Sequence, residues 1–130
     1  MISSQLRFLF LLLTLLWIAH GIEELWTEFY AIDSHVNFVF SFLQEFTPYH
    51  AAFVVLQIMF WLTLIISYLL LLGPQWQYRV MMLPGLLAMY ELHHIYKAFE
   101  VSGYYPGLYS GMIFPFLGYF YWKEYLSSKA

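Results

Sequence analysis

From His50 to Leu72 the chain runs without a single Asp, Glu, Lys or Arg, until Gly73-Pro74 stops it. A bilayer crossing needs about 20 consecutive apolar residues, and this stretch meets that length. Three more stretches approach it: about 5–30, about 78–99 and about 106–122. Of the 130 residues, 62% are hydrophobic and 10% charged, whereas soluble domains carry about 25% charged residues. A water-facing fold of this size cannot hide so much apolar side chain. The expected fold is all-α: a four-transmembrane-helix bundle forming a single integral membrane domain over residues 1–130.

Aromatic residues make up 23% of the chain, and many lie near the ends of these segments, where Trp and Tyr favour the membrane–water interface. Pro84-Gly85 is expected to kink or restart the third crossing, and Pro115 lies inside the fourth. Ile32 to Thr47 holds Val36, Phe38, Val39, Phe40, Phe42, Leu43 and Phe46. That is too little for a crossing, so an interfacial helix or a packed loop is expected there. Arg7 followed by Phe8 to Ala19 looks like a signal peptide, but no small-x-small cleavage site follows, and the segment is read as a membrane helix.

With four crossings, Arg7, Arg79, Lys123 and Lys129 share one side and Lys97 falls on the other. The positive-inside rule then predicts a multi-pass protein with both termini in the cytoplasm. The absence of Cys removes disulfides, thiolate metal sites and a Cys nucleophile. The net charge of −3 is spread out, with no basic run for nucleic acid. Membrane lipids are the expected surroundings, and a homo-oligomer is compatible with the sequence.

Within the apolar crossings stand two ionisable clusters. His20, Glu23 and Glu24 are at i, i+3 and i+4, one face of a helix. Glu91 and His94 share a face in the third crossing, with His93 pointing elsewhere. His20 lies about 15 residues into its crossing and Glu91 about 13 into the third, so at 1.5 Å per residue both stand about 20 Å from the cytoplasmic start. An ionisable group at the bilayer centre costs about 3 kcal/mol on insertion scales. Five at one depth imply mutual pairing, a metal or a water-filled cavity.

Glu-x-x-His on facing helices is how di-iron carboxylate proteins build their sites. Imidazole with carboxylate suits zinc, iron or manganese. His20, Glu23, Glu24, Glu91 and His94 are therefore candidate ligands for one or two divalent transition-metal ions. Glu23, Glu24 and Glu91 are also candidate acid–base groups without a metal. A purely structural hydrogen-bonded network between helices is the other account.

His20-Gly21-Ile22-Glu23-Glu24 reads as His-x-x-Glu-Glu and resembles the signature of the HXXEE-domain family of small integral membrane proteins. Tyr90-Glu91-Leu92-His93-His94 is similar to that family's Asn-Glu-x-x-His stretch, with Tyr90 in place of Asn. Tyr104-Tyr105-Pro106-Gly107, followed by Pro115, resembles its Tyr-x-Pro-Gly turn and Pro-containing last helix. The three pieces stand in order from His20 to Pro115. The resemblance supports the site and carries no named reaction with it.

Other polar residues carry less. Asp33 is placed to cap a following helix, with His35 in the same loop. Lys97 and Glu100 are spaced to pair. His50 and Gln57 lie in the second crossing near the depth of the clusters. Glu28 and Glu45 fall at headgroup level, and Tyr105 and Tyr109 read as interface anchors. Ser67 and Ser110 have no neighbouring His in sequence, so a Ser nucleophile is unsupported.

The expected function is that of a membrane enzyme on an apolar or lipid-like substrate, using a metal or acid–base carboxylates. The alternative is non-enzymatic: a metal or proton carrier, or a subunit of a membrane complex.

Overall fold

The computed structural model describes residues 2–128. Lys129, counted in the charge asymmetry, lies outside them. The structure is all-helical, 81% helix. In chain order the helices are α1 (Ser4–Trp26), α2 (Phe29–Ile32), α3 (Ser34–Val39), a 3-10 turn at Ser41–Leu43, α4 (Pro48–Leu71), α5 (Pro74–Val80), α6 (Met82–Tyr90), α7 (Leu92–Glu100), α8 (Leu108–Gly111) and α9 (Phe114–Ser127). They form two compact units: one of residues up to Phe29 and from Met81 onward, the other Tyr30–Val80.

Among the described residues, two helices, α1 and α4, are long and apolar enough to cross a membrane. The expected third and fourth segments are divided. The third breaks at Met81 and again at Glu91, while Pro84 sits in the first turn of α6. N–H groups in a first turn have no helical partner, so Pro costs nothing there and does not kink the helix. Pro115 likewise occupies the first turn of α9. The first segment ends at Trp26 rather than near Tyr30, because Glu28 takes a left-handed conformation, φ 55°.

The first unit is organised by a seam on α1. Ser3 caps the helix by accepting the Leu6 N–H at 3.0 Å. Leu6, Leu9, Leu13, Leu16 and His20 are then buried, alternating steps of three and four that keep one stripe facing inward. His20 thus occupies the next position of an otherwise all-leucine stripe. The opposite face, with Phe8, Leu11, Leu15, Ile18 and Ile22, stays exposed.

Helix α9 packs against both α1 and α6, and α8 lies against α7 and α1. Small residues allow the close approach of α6 and α9. A Cβ on Gly118 would stand 3.5 Å from that of Ala88, whereas one on Gly85 would fall 2.7 Å from the Trp122 ring. The Trp122 indole N–H donates to the Gly85 carbonyl at 3.0 Å, and the fully buried Tyr121 donates its hydroxyl to the Met81 carbonyl. These bonds fasten α9 to the backbone of α6 and of the residue just before it.

In the second unit, Asp33 caps α3 as its position suggested, accepting the N–H groups of His35 and Val36 at 2.8 and 3.0 Å. The stretch after it folds as short helical turns rather than one amphipathic helix. Thr47 and Pro48 start α4, which buries no residue at all.

Candidate metal centre

Four side chains converge in the first unit. His20 and Glu24 come from α1, Glu91 from the break between α6 and α7, and His94 from α7. His20 Nε2 lies 3.0 Å from Glu91 Oε2 and 3.4 Å from Glu24 Oε1. His94 Nε2 lies 3.4 Å from each of the same two oxygens. The two imidazoles meet edge to face at 4.6 Å between centroids. Both are buried, and Phe114 and Phe29 close over them at 5.3 and 4.9 Å.

The other ring nitrogens settle the tautomers. His94 Nδ1 stands 2.6 Å from the Pro106 carbonyl. A carbonyl only accepts, so Nδ1 carries the proton and donates it. His20 Nδ1 stands 2.7 Å from the Ser110 hydroxyl oxygen. That hydroxyl donates its own proton to Glu23 Oε2, so it accepts from His20. In the neutral imidazoles, both Nε2 atoms therefore present lone pairs to a space also faced by two carboxylate oxygens. Such lone pairs repel carboxylates unless the rings take up a second proton and pair with them, or a metal cation lies between them.

The spacing fits a cation. Bonds of about 2.0–2.2 Å from nitrogen or oxygen to a transition metal set two ligands of one ion roughly 3.0–3.4 Å apart at right-angle to tetrahedral geometry. The four nitrogen–oxygen separations fall in that range, with Glu24 outside the group of ligand atoms that all lie close to one another. Ligand atoms of His20, Glu91 and His94 lie within 4.8 Å of one another. Moreover, His20 Nε2 is buried, with the Glu91 and Glu24 oxygens as its near polar neighbours among the described residues. These buried groups are able to hold a metal ion. Metal-ligating histidines are commonly fixed through the second ring nitrogen by a hydrogen-bond acceptor, as both are here.

Glu23 does not join the other four. Its Oε1 accepts the Tyr104 hydroxyl at 2.8 Å and the Tyr109 N–H at 3.1 Å, and its Oε2 accepts the Ser110 N–H at 2.9 Å and the Ser110 hydroxyl. Burial, then the bond to the Glu23 carboxylate, push the Tyr104 phenol above its ordinary value. His93 stacks on Tyr90 at 6.1 Å and meets the His94 ring edge to face at 5.7 Å. Lys97 and Glu100 pair at 2.9 Å, as their spacing suggested. His50 and Gln57 lie on α4 in the other unit, where His50 stacks on Phe46.

Several contributors were not legible as such. Ser110, set aside for want of a nearby His, touches His20 across ninety residues. Pro106 contributes a carbonyl and Gly107 its missing side chain. Gly107 has φ 82°, and a Cβ there would lie 2.7 Å from both His20 Cε1 and His94 Nδ1. The Tyr-Tyr-Pro-Gly turn was the one local signal that pointed here. No protein-family model, curated protein or solved structure matches the chain.

Proposed function

We propose that the chain is a multi-pass integral membrane protein of the HXXEE type that holds one divalent transition-metal ion on His20, His94, Glu91 and Glu24. We further propose that it uses this ion as a membrane enzyme acting on an apolar, lipid-like substrate. The observation that carries the reading is the pair of imidazoles whose Nδ1 atoms are each committed to an acceptor while both Nε2 atoms converge with two carboxylate oxygens. Zinc, iron and manganese all accept such a donor set. A bound ion would supply Lewis-acid activation of water or of a substrate oxygen.

Four crossings remain the reading of the chain. Beside α1 and α4, Met82–Glu100 and Leu108–Ser127 would each rise roughly 30 Å if helical throughout, about one hydrocarbon core. Both termini are placed in the cytoplasm. Glu24, with 26% side-chain exposure against 12% for Glu91, marks the side from which a substrate reaches the ion. An open apolar groove of about 520 Å³, lined by Ile95, Ala98, Phe99, Leu108 and Met112, runs between α7 and α8. These helices also carry His94 and Ser110, which supports an apolar substrate.

Metal analysis of the detergent-purified protein tests the proposal. About one equivalent of zinc, iron or manganese is expected, lost in His20→Ala and His94→Ala. A wild-type protein that neither retains nor takes up any of the three leaves the cluster as an ion-paired network between helices.

A further inference from the structure

We infer that Glu23 is a positioning residue: through Ser110 it fixes the tautomer of His20, and it pins the 104–110 segment over both histidines. This inference rests on the metal-centre reading and assigns a role outside the four ligand candidates. Among the described residues, the Glu23 carboxylate bonds to one segment of chain, through the Tyr104 hydroxyl, the N–H groups of Tyr109 and Ser110, and the Ser110 hydroxyl. The same segment supplies the Pro106 carbonyl to His94 Nδ1 and the Gly107 backbone that lies against both rings. A single carboxylate at the end of the α1 seam therefore anchors the scaffold that orients both imidazoles.

The direction of the hydrogen bonds is what matters. A carboxylate only accepts, so the Ser110 hydroxyl must donate to Glu23, which leaves its oxygen to accept from His20 Nδ1. His20 then offers a bare Nε2. In Glu23→Gln the amide nitrogen cannot accept. Facing Ser110, it donates to the hydroxyl oxygen, and the hydroxyl turns its proton toward His20 Nδ1. The neutral ring must then carry its proton on Nε2, where it blocks the ligand position. Turned the other way, the amide opposes the Tyr109 N–H and reverses the Tyr104 bond, which loosens the segment's hold. Ser110→Ala removes the acceptor for Nδ1 altogether.

The test measures Zn²⁺ affinity by competition with a chromophoric chelator, and the visible spectrum of the Co²⁺-loaded protein, for wild type, Glu23→Gln, Ser110→Ala, Ser110→Thr and the Glu23→Gln/Ser110→Ala double variant. Loss of an outer partner of this kind weakens metal binding about 10- to 100-fold. That loss is expected in both Glu23→Gln and Ser110→Ala, with a shifted Co²⁺ spectrum. Ser110→Thr, which keeps the hydroxyl, restores affinity and spectrum. The double variant binds no worse than the weaker single one, because both act through one chain of bonds. Wild-type affinity and spectrum in Ser110→Ala, or an equal loss in Ser110→Thr, overturn the inference and leave the metal centre standing. A wild type that binds neither Zn²⁺ nor Co²⁺ overturns both. If Glu23→Gln does not fold, the Ser110 pair decides alone.

Discussion

Gly107 lies so close to His94 that a single added carbon would stand 2.7 Å from its Nδ1. Gly107 also has φ 82°, a conformation that costs an L-residue roughly 1–2 kcal/mol. Gly107→Ala is thus expected to lose both stability, by at least that amount, and metal binding, since either the turn or the two rings must move. Thermal unfolding and Zn²⁺ uptake in detergent check this. Wild-type values for both would show that the turn is not seated on the histidines.

The two carboxylates of the cluster are not equivalent. Glu91 approaches His20 Nε2 to 3.0 Å and is the more buried. Glu24 stands 3.4 Å from both imidazoles and is more exposed. Glu91→Gln should abolish tight Zn²⁺ binding, while Glu24→Gln weakens it and leaves a measurable site. Equal losses in a Zn²⁺ titration would make the two carboxylates equivalent, and reversed losses would make Glu24 the principal ligand.

Packing of α9 on α6 gives a contrasting pair. At Gly85 a Cβ collides with the Trp122 ring, and overpacking of this kind costs about 1–3 kcal/mol. At Gly118 a Cβ meets only ordinary contact with Ala88, and exchanging helical Gly for Ala gains up to about 1 kcal/mol. Gly85→Ala should therefore lower the unfolding midpoint and Gly118→Ala hold or raise it. The opposite order would contradict this packing.

Tyr104 gives a pH signature outside the apolar segments. Its phenol is raised above the ordinary 10.0, by burial and then by Glu23. A group with a raised folded-state pKa contributes stability that is present below its unfolded value and lost as pH rises through the folded one. The Tyr104–Glu23 contribution should thus persist at neutral pH and disappear only in strongly alkaline solution. Ultraviolet phenolate titration of wild type against Tyr104→Phe reads it directly. A phenolate at Tyr104 forming earlier than in free tyrosine would contradict the bond.

Because the chain has no Cys, single introduced thiols report topology without background. With four crossings, an impermeant maleimide should label Ser102→Cys from outside intact cells, and Ser128→Cys only after permeabilisation. Labelling of both from one side would remove that topology.

The sequence by itself determined the helical character and the apolar period. The three- and four-residue steps from Leu6 through His20, and the steps joining Glu91 to His94, are local properties of a chain with 3.6 residues per turn. Such spacing marks His20, Glu23, Glu24, Glu91 and His94 alike as candidates. Helix boundaries were less legible, because a proline such as Pro84 reads alike as a kink or as a first-turn residue until hydrogen bonds are assigned. Tertiary structure decided the rest. Glu23 and Glu24 are adjacent and chemically identical, yet one faces the imidazoles and the other the Ser110 turn. Which nitrogen of His20 is left bare depends on a hydroxyl ninety residues away, and no local pattern encodes the direction of a hydrogen bond between segments so far apart.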